Sequence, residues 1–114
     1  MLYRELTVWQ KAVDLVVDVY RVIDKLPSHE KFALADQMRR SAVSVPSNIA
    51  EGQRRASVKE VIQFTAIASG SLAELETQLV LVERLYKIDT SPELKLTAEV
   101  SKMLAGLIRS LRAK

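Results

Sequence analysis

The chain has 114 residues, 48% apolar and 27% charged, with a net charge of +3 at pH 7 and a pI near 9.3. That is enough chain for one domain over residues 1–114 with one core, and too apolar for a disordered segment. Without cysteine, disulfides and thiolate chemistry are excluded. With no signal-peptide core in MLYRELTVWQK and no uncharged run longer than Val61 to Ala73, a cytoplasmic protein with no membrane partner is expected.

Three glycines and three prolines leave few tight turns, and Ala, Leu, Glu, Lys and Arg are abundant, so the elements are long helices. The first is marked by Trp9, Ala12, Val13, Val16, Val19, Tyr20, Ile23 and Leu26 at spacings of three and four. Lys11, Asp14, Asp18, Arg21 and Lys25 form its opposite, solvated face, and Pro27 ends it.

Ser28 is placed to cap the second helix, with Glu30 in its first turn. Ala35, Met38, Ala42, Val45, Ile49 and Gly52 then keep one apolar phase straight through Pro46. A turn there would reset that phase. The missing N–H of Pro46 deprives the Ala42 carbonyl of its partner, at a cost of about 3 kcal/mol in a helix interior. Bundle packing can offset this, and a kinked second helix is expected rather than a break.

Ser57 and Glu60 in SVKE form a capping box that starts a third helix near Val58. Its seam is heptad-like: Val58, Val61, Thr65, Ala68, Leu72, Leu75, Leu79, Val82 and Tyr86. A second strip, Ile62, Ala66, Ala73 and Val80 with Ser69 and Glu76 between, is either a wider core or a surface for another copy. In DTSPE, Ser91 can cap the fourth helix and Pro92 suits its first position, ahead of Leu94, Val100, Leu104, Leu107, Ile108 and Leu111. No strand pattern or repeat interrupts this series. The reading is all-α: an antiparallel up-down-up-down four-helix bundle with its second helix kinked at Pro46.

Ser41, Ser44, Asn48, Glu51 and Arg55 fall on one strip of the second helix beside its core seam. Glu74 and Gln78 of the third helix are the candidate partners. Ser44, Asn48, Glu51, Glu74 and Gln78 are read as a polar network that sets helix register, with a ligand groove as the alternative.

Basic residues offer a nucleic-acid surface: Arg39 and Arg40, then Arg54, Arg55 and Lys59 at the connection between the second and third helices. Lys102, Arg109, Arg112 and Lys114 are a second set. Aromatic residues are few and sit mostly on core faces, so contact would be with phosphate and tolerant of sequence. Catalysis is not expected. The lone His29 lies in a connection, no Glu-x-x-His pair exists for a di-iron site, and no phosphate-binding glycine loop is present. Neither a metal nor a cofactor is expected.

Three stretches carry a resemblance: LTVWQKA near the start, DQMRRSAVSVPSNIAEG in the second helix and GSLAELETQL in the third. They resemble the four-helix bundle proteins, or 23S rRNA-intervening-sequence proteins, over nearly the whole chain. Arg40 to Gly52 is the most specific part, with Ser47 standing where the family often has alanine. The resemblance implies a bundle assembled as a ring-shaped homopentamer. Some members are encoded in insertions within large ribosomal RNA genes, and for most no biochemical function is established. The accessory variability proteins of diversity-generating retroelements are similar. They imply a reverse transcriptase as a protein partner and nucleic acid held by a basic surface. The expected function is a non-catalytic oligomeric adaptor or scaffold that binds nucleic acid. The alternative is a bundle that binds only proteins.

Overall fold

The computed structural model describes residues 2–114 and is all-helical among them. A 3-10 turn at Tyr3–Glu5 leads into four helices: α1 Thr7–Ile23, α2 Leu34–Gln53, α3 Val58–Tyr86 and α4 Ser91–Arg112. α3 sets the long dimension. Its 29 residues span about 43 Å at 1.5 Å per residue, and the molecule measures 46 × 23 × 20 Å. α1 packs against α2 and α4, and α3 packs against the same two helices, so each helix has two neighbours around one shared core. Ser41 meets Gln78, Ser44 meets Ser71, and Gly52 lies against Phe64; along this seam α2 and α3 run in opposite directions.

The apolar register of α2 holds as expected. Ala35, Met38, Ala42, Val45, Ile49 and Gly52 are all buried, and the helix continues unbroken through Pro46, itself buried. α3 buries Thr65, Ala68, Leu72, Leu75, Leu79 and Val82, while Val58 at the start of its seam is exposed. Half of the capping box forms: Ser57 Oγ accepts the Glu60 N–H at 3.2 Å, while the Glu60 carboxylate accepts the Ser57 hydroxyl at 3.0 Å in place of its backbone N–H.

Three local expectations are corrected. α1 buries Val8, Ala12, Leu15, Val19, Val22 and Ile23, leaving Trp9, Val13 and Val16 half-buried and Tyr20 exposed. Its core face is rotated by about 70° from the one read off the sequence, at 100° per residue. The reason is that α1 is apolar over both flanks, and periodicity alone does not choose between them. Ser28 does not cap α2. The bonds Glu30 N–H to Pro27, Lys31 N–H to Ser28 and Ala33 N–H to Glu30 wind Ser28–Glu30 into a 3-10 turn, and α-helix begins only at Leu34. There the Glu30 carboxylate accepts the Leu34 N–H at 3.4 Å. At α4, Ser91 is the first helical residue. Asp89 Oδ1 takes its N–H at 2.9 Å and its hydroxyl at 2.6 Å, and these bonds hold the Asp89 carboxyl below its usual pKa.

Candidate functional site

The polar strip of α2 does reach α3. Ser41 Oγ lies 2.6 Å from Gln78 Oε1, to which it donates. One turn on, the Ser44 and Ser71 hydroxyls are 2.8 Å apart. The Asn48 amide then donates to the Ser44 carbonyl at 2.8 Å and to its hydroxyl at 2.9 Å. Asn48, Ser44 and Ser71 thus form a chain across the seam, two residues on either side of Pro46. Among the described residues every buried side-chain N or O atom has a partner. Small side chains make this crossing short: two serines in contact bring the helix backbones closer than two leucines would.

The chain differs in membership from the expected network. Glu51 faces solvent and pairs with Arg55 one turn along, because it lies about 60° further round α2 than Asn48, away from the core. Glu74 is exposed on the rim of a shallow groove of about 240 Å³ that also touches Arg40, Ser44 and Ser71. Among the described residues no hydrogen bond joins Glu51 or Glu74 to the serine chain. Ser71 joins Ser44 and Asn48 instead, and Gln78 bonds separately to Ser41. Ser41 was legible from its place on the α2 strip; Ser71 was hidden in the small-residue stretch Ala66–Ala73.

The five basic candidates do not form one patch. Arg39 is half-buried beside Leu26, Pro27 and Lys31, in a recess of about 210 Å³ between the end of α1 and the start of α2. Arg40 turns to the opposite flank and pairs with Asp36 at 3.2 Å. Arg54, Arg55 and Lys59 are all exposed at the α2–α3 turn, about 21 Å along the helix from Arg40 at 1.5 Å per residue. Arg55 is occupied by Glu51 and by the face of Phe64, whose ring centroid is 4.7 Å away. Arg54 and Lys59 carry no salt bridge among the described residues.

One cluster had no local signal in the sequence. The Tyr86 hydroxyl donates to Glu30, and His29 Nε2 lies 3.2 Å from the same hydroxyl. This joins the α1–α2 connection to the far end of α3, 56 residues on. The Tyr86 bond holds the Glu30 carboxyl below its usual pKa, with the Leu34 N–H and His29 adding to it against partial desolvation, and the same bond pushes the Tyr86 phenol up. The three groups fasten a bundle end and line neither groove. Among the described residues, no three His, Asp or Glu side chains are placed to hold a metal ion, and no helix is long and apolar enough to cross a membrane.

Comparison with known proteins agrees with this geometry. Residues 4–108 match the family described as 23S rRNA-intervening sequence protein. The chain belongs to that family. A solved structure from Bacteroides thetaiotaomicron VPI-5482, described as a protein of unknown function from the S23 ribosomal protein family, is 25% identical with a TM-score of 0.82. The match covers 90% of this chain and 98% of that one, so the arrangement of helices is shared over essentially its full length. Among curated proteins nothing matches the chain.

Proposed function

We propose that this family member is a non-catalytic oligomeric scaffold that holds nucleic acid by its phosphate backbone. The observation that carries the reading is the outer face of α3. Over the first half of that face Ile67 is 51% exposed, with Ala66, Gly70 and Ala73 at the surface around it, and no charged residue occurs from Val61 to Ala73; Leu81, 41% exposed, follows beyond Glu74. A helix that served only the core would carry charge there. A second apolar surface lies on α1, diagonally across the bundle, where Val17 and Tyr20 are exposed beside Trp9 and Val13. Two different apolar faces on opposite helices suit a head-to-tail contact between copies, which closes into a ring when the rotation allows. Five copies is the number that the family resemblance implies.

The basic groups supply the nucleic-acid part, with Arg54 and Lys59 at the α2–α3 turn free to contact phosphate. Repetition around a ring multiplies weak contacts into useful avidity. The engagement of Arg40 and Arg55 by their own carboxylates favours a second reading, a bundle that binds only proteins, a reverse transcriptase among them. Light scattering after size exclusion tests the scaffold: a mass several times 12.8 kDa is expected, falling towards one chain in Ile67→Glu/Leu81→Glu. A clean monomer at high concentration refutes it. Salt-sensitive binding of RNA or DNA separates the two readings, since the protein-only bundle shows none.

A further inference from the structure

The outer faces of the four helices differ in charge. α1 mixes Asp14 and Asp18 with Arg21, which bonds Asp18 at 2.9 Å. α2 pairs Arg40 with Asp36 and Arg55 with Glu51, and α3 alternates Lys59, Glu74, Glu76 and Arg84. α4 exposes four cations, Lys95, Lys102, Arg109 and Arg112, against one exposed carboxylate, Glu99. Lys95, Lys102 and Arg109 are all exposed and follow one another at seven-residue intervals. Each step of seven rotates the position by only about 20° and advances it by about 10.5 Å, so the three cations form a row about 21 Å long. Ala98 and Ala105 lie between them at the surface, and Arg112 extends the row past Arg109.

The carboxylates of α4 are turned out of this row. Glu99 reaches across to Lys11 of α1 at 2.8 Å. Glu93 is half-buried at the other flank, among Asp18, Lys25 and Asp89, and burial raises its pKa. Glu76 of α3, exposed, makes no ion pair with the row among the described residues. Among the described residues these four like charges make no salt bridge, and their mutual repulsion is one that a polyanion relieves.

We infer that the outer face of α4, through Lys95, Lys102, Arg109 and Arg112, is the principal track for a phosphodiester backbone laid along the helix. This rests on the nucleic-acid reading above and names the face that performs it. Alanines between the cations let a strand approach the helix closely. No large apolar side chain stands on the row to enter a bilayer, which distinguishes it from a membrane-surface helix. No aromatic residue stands there either, so bases are not stacked, and backbone is recognised without regard to sequence. The α2–α3 turn is then a secondary contact.

The test is fluorescence anisotropy of the full chain with a labelled single-stranded RNA and a labelled DNA duplex, titrated over a salt series. At about 0.7 to 0.9 released counterions per phosphate contact, Lys95→Glu/Lys102→Glu/Arg109→Glu lowers the salt slope by about 2 to 3 and weakens binding at least tenfold. The neutral triple with glutamine at the same three positions, which retains the helix former, gives the same slope change with a smaller loss. Arg54→Glu/Lys59→Glu, at the secondary contact, weakens binding and lowers the salt slope by less than the α4 triple does. The two nucleic-acid arms show which form the track prefers. If the parent chain binds and the turn variant, not the α4 variants, abolishes binding, the assignment to α4 is wrong while the nucleic-acid reading stands. If the parent chain shows no salt-sensitive binding, both fall. Equal competition by polyglutamate of matched charge overturns the assignment in favour of an acidic protein.

Discussion

Gly52 and Gly106 are both helical glycines, and the structure makes opposite predictions for replacing them by alanine. Alanine exceeds glycine in helix propensity by about 0.8–1.0 kcal/mol, so propensity alone favours both changes. A Cβ at Gly106 meets only the Arg109 guanidinium at 3.8 Å, an ordinary contact, and Gly106→Ala is expected to stabilise by about that amount. A Cβ at Gly52 stands 3.0 Å from the Phe64 Cβ and 3.5 Å from the Val61 carbonyl oxygen. Carbon atoms prefer about 3.5–4.0 Å, so α2 and α3 must part by a few tenths of an ångström at their shared turn. The obstructing atom is fixed to the α3 backbone and has no rotamer to relieve it. Overpacking of this kind costs about 1–3 kcal/mol, which exceeds the propensity gain and leaves Gly52→Ala destabilised by about 1 kcal/mol. The two variants should therefore differ by about 2 kcal/mol. Urea unfolding followed by far-ultraviolet circular dichroism measures this, at one protein concentration so that assembly contributes equally. If Gly52→Ala is stabilised as much as Gly106→Ala, close approach of α2 and α3 at this point is refuted.

Other expectations follow from the seam and the bundle end. Ser41→Ala strands the Gln78 carbonyl, 8% exposed, and is expected to cost about 1–3 kcal/mol; Ser41→Ala/Gln78→Leu should recover most of it in the same urea assay. Pro46→Ala restores a backbone bond and gains about 3 kcal/mol of helix propensity, against about 1.6 kcal/mol for two lost buried methylenes, so a net gain near 1 kcal/mol is expected. A loss of that size would mean that packing needs the course the proline imposes. For Glu30 and Tyr86 the signs differ. Glu30 is depressed, so its contribution is present above its ordinary pKa of 4.5 and is lost as the pH falls through the folded value. Tyr86 is raised, so its contribution is present below 10.0 and is lost as the pH rises through the folded value. The gap in unfolding midpoint between the parent chain and Tyr86→Phe should therefore be widest from about pH 5 to 9 and close at both ends; a gap independent of pH refutes the bond.

Local chemistry was readable wherever neighbours in sequence are neighbours in space. The capping box at Ser57 depends on atoms three residues apart, and the core positions of α2 depend on a 3.6-residue period that has one polar flank to set its phase. Asn48 and Ser44 were legible for the same reason, being one turn apart. Glu51 shared their spacing but not their face of the helix, and its i,i+4 partner Arg55 claimed it. For the basic residues, type and count were visible, but whether each was free was not: Arg40 and Arg55 are held by their own helix, while Lys95, absent from the expected set, stands in line with Lys102 and Arg109.

Four amphipathic rods, the starts of the third and fourth, and the passage of the second through its proline follow from composition and period alone, because those are properties of a short stretch of chain. Which flank of α1 turns inward, the Ser44–Ser71 crossing and the Glu30–Tyr86 fastening arise only once the rods are packed. Each depends on a partner from another helix, 27 and 56 residues away in the two hydrogen-bonded cases. A helix apolar on both flanks has two nearly equal ways to bury itself, and the choice belongs to its neighbours.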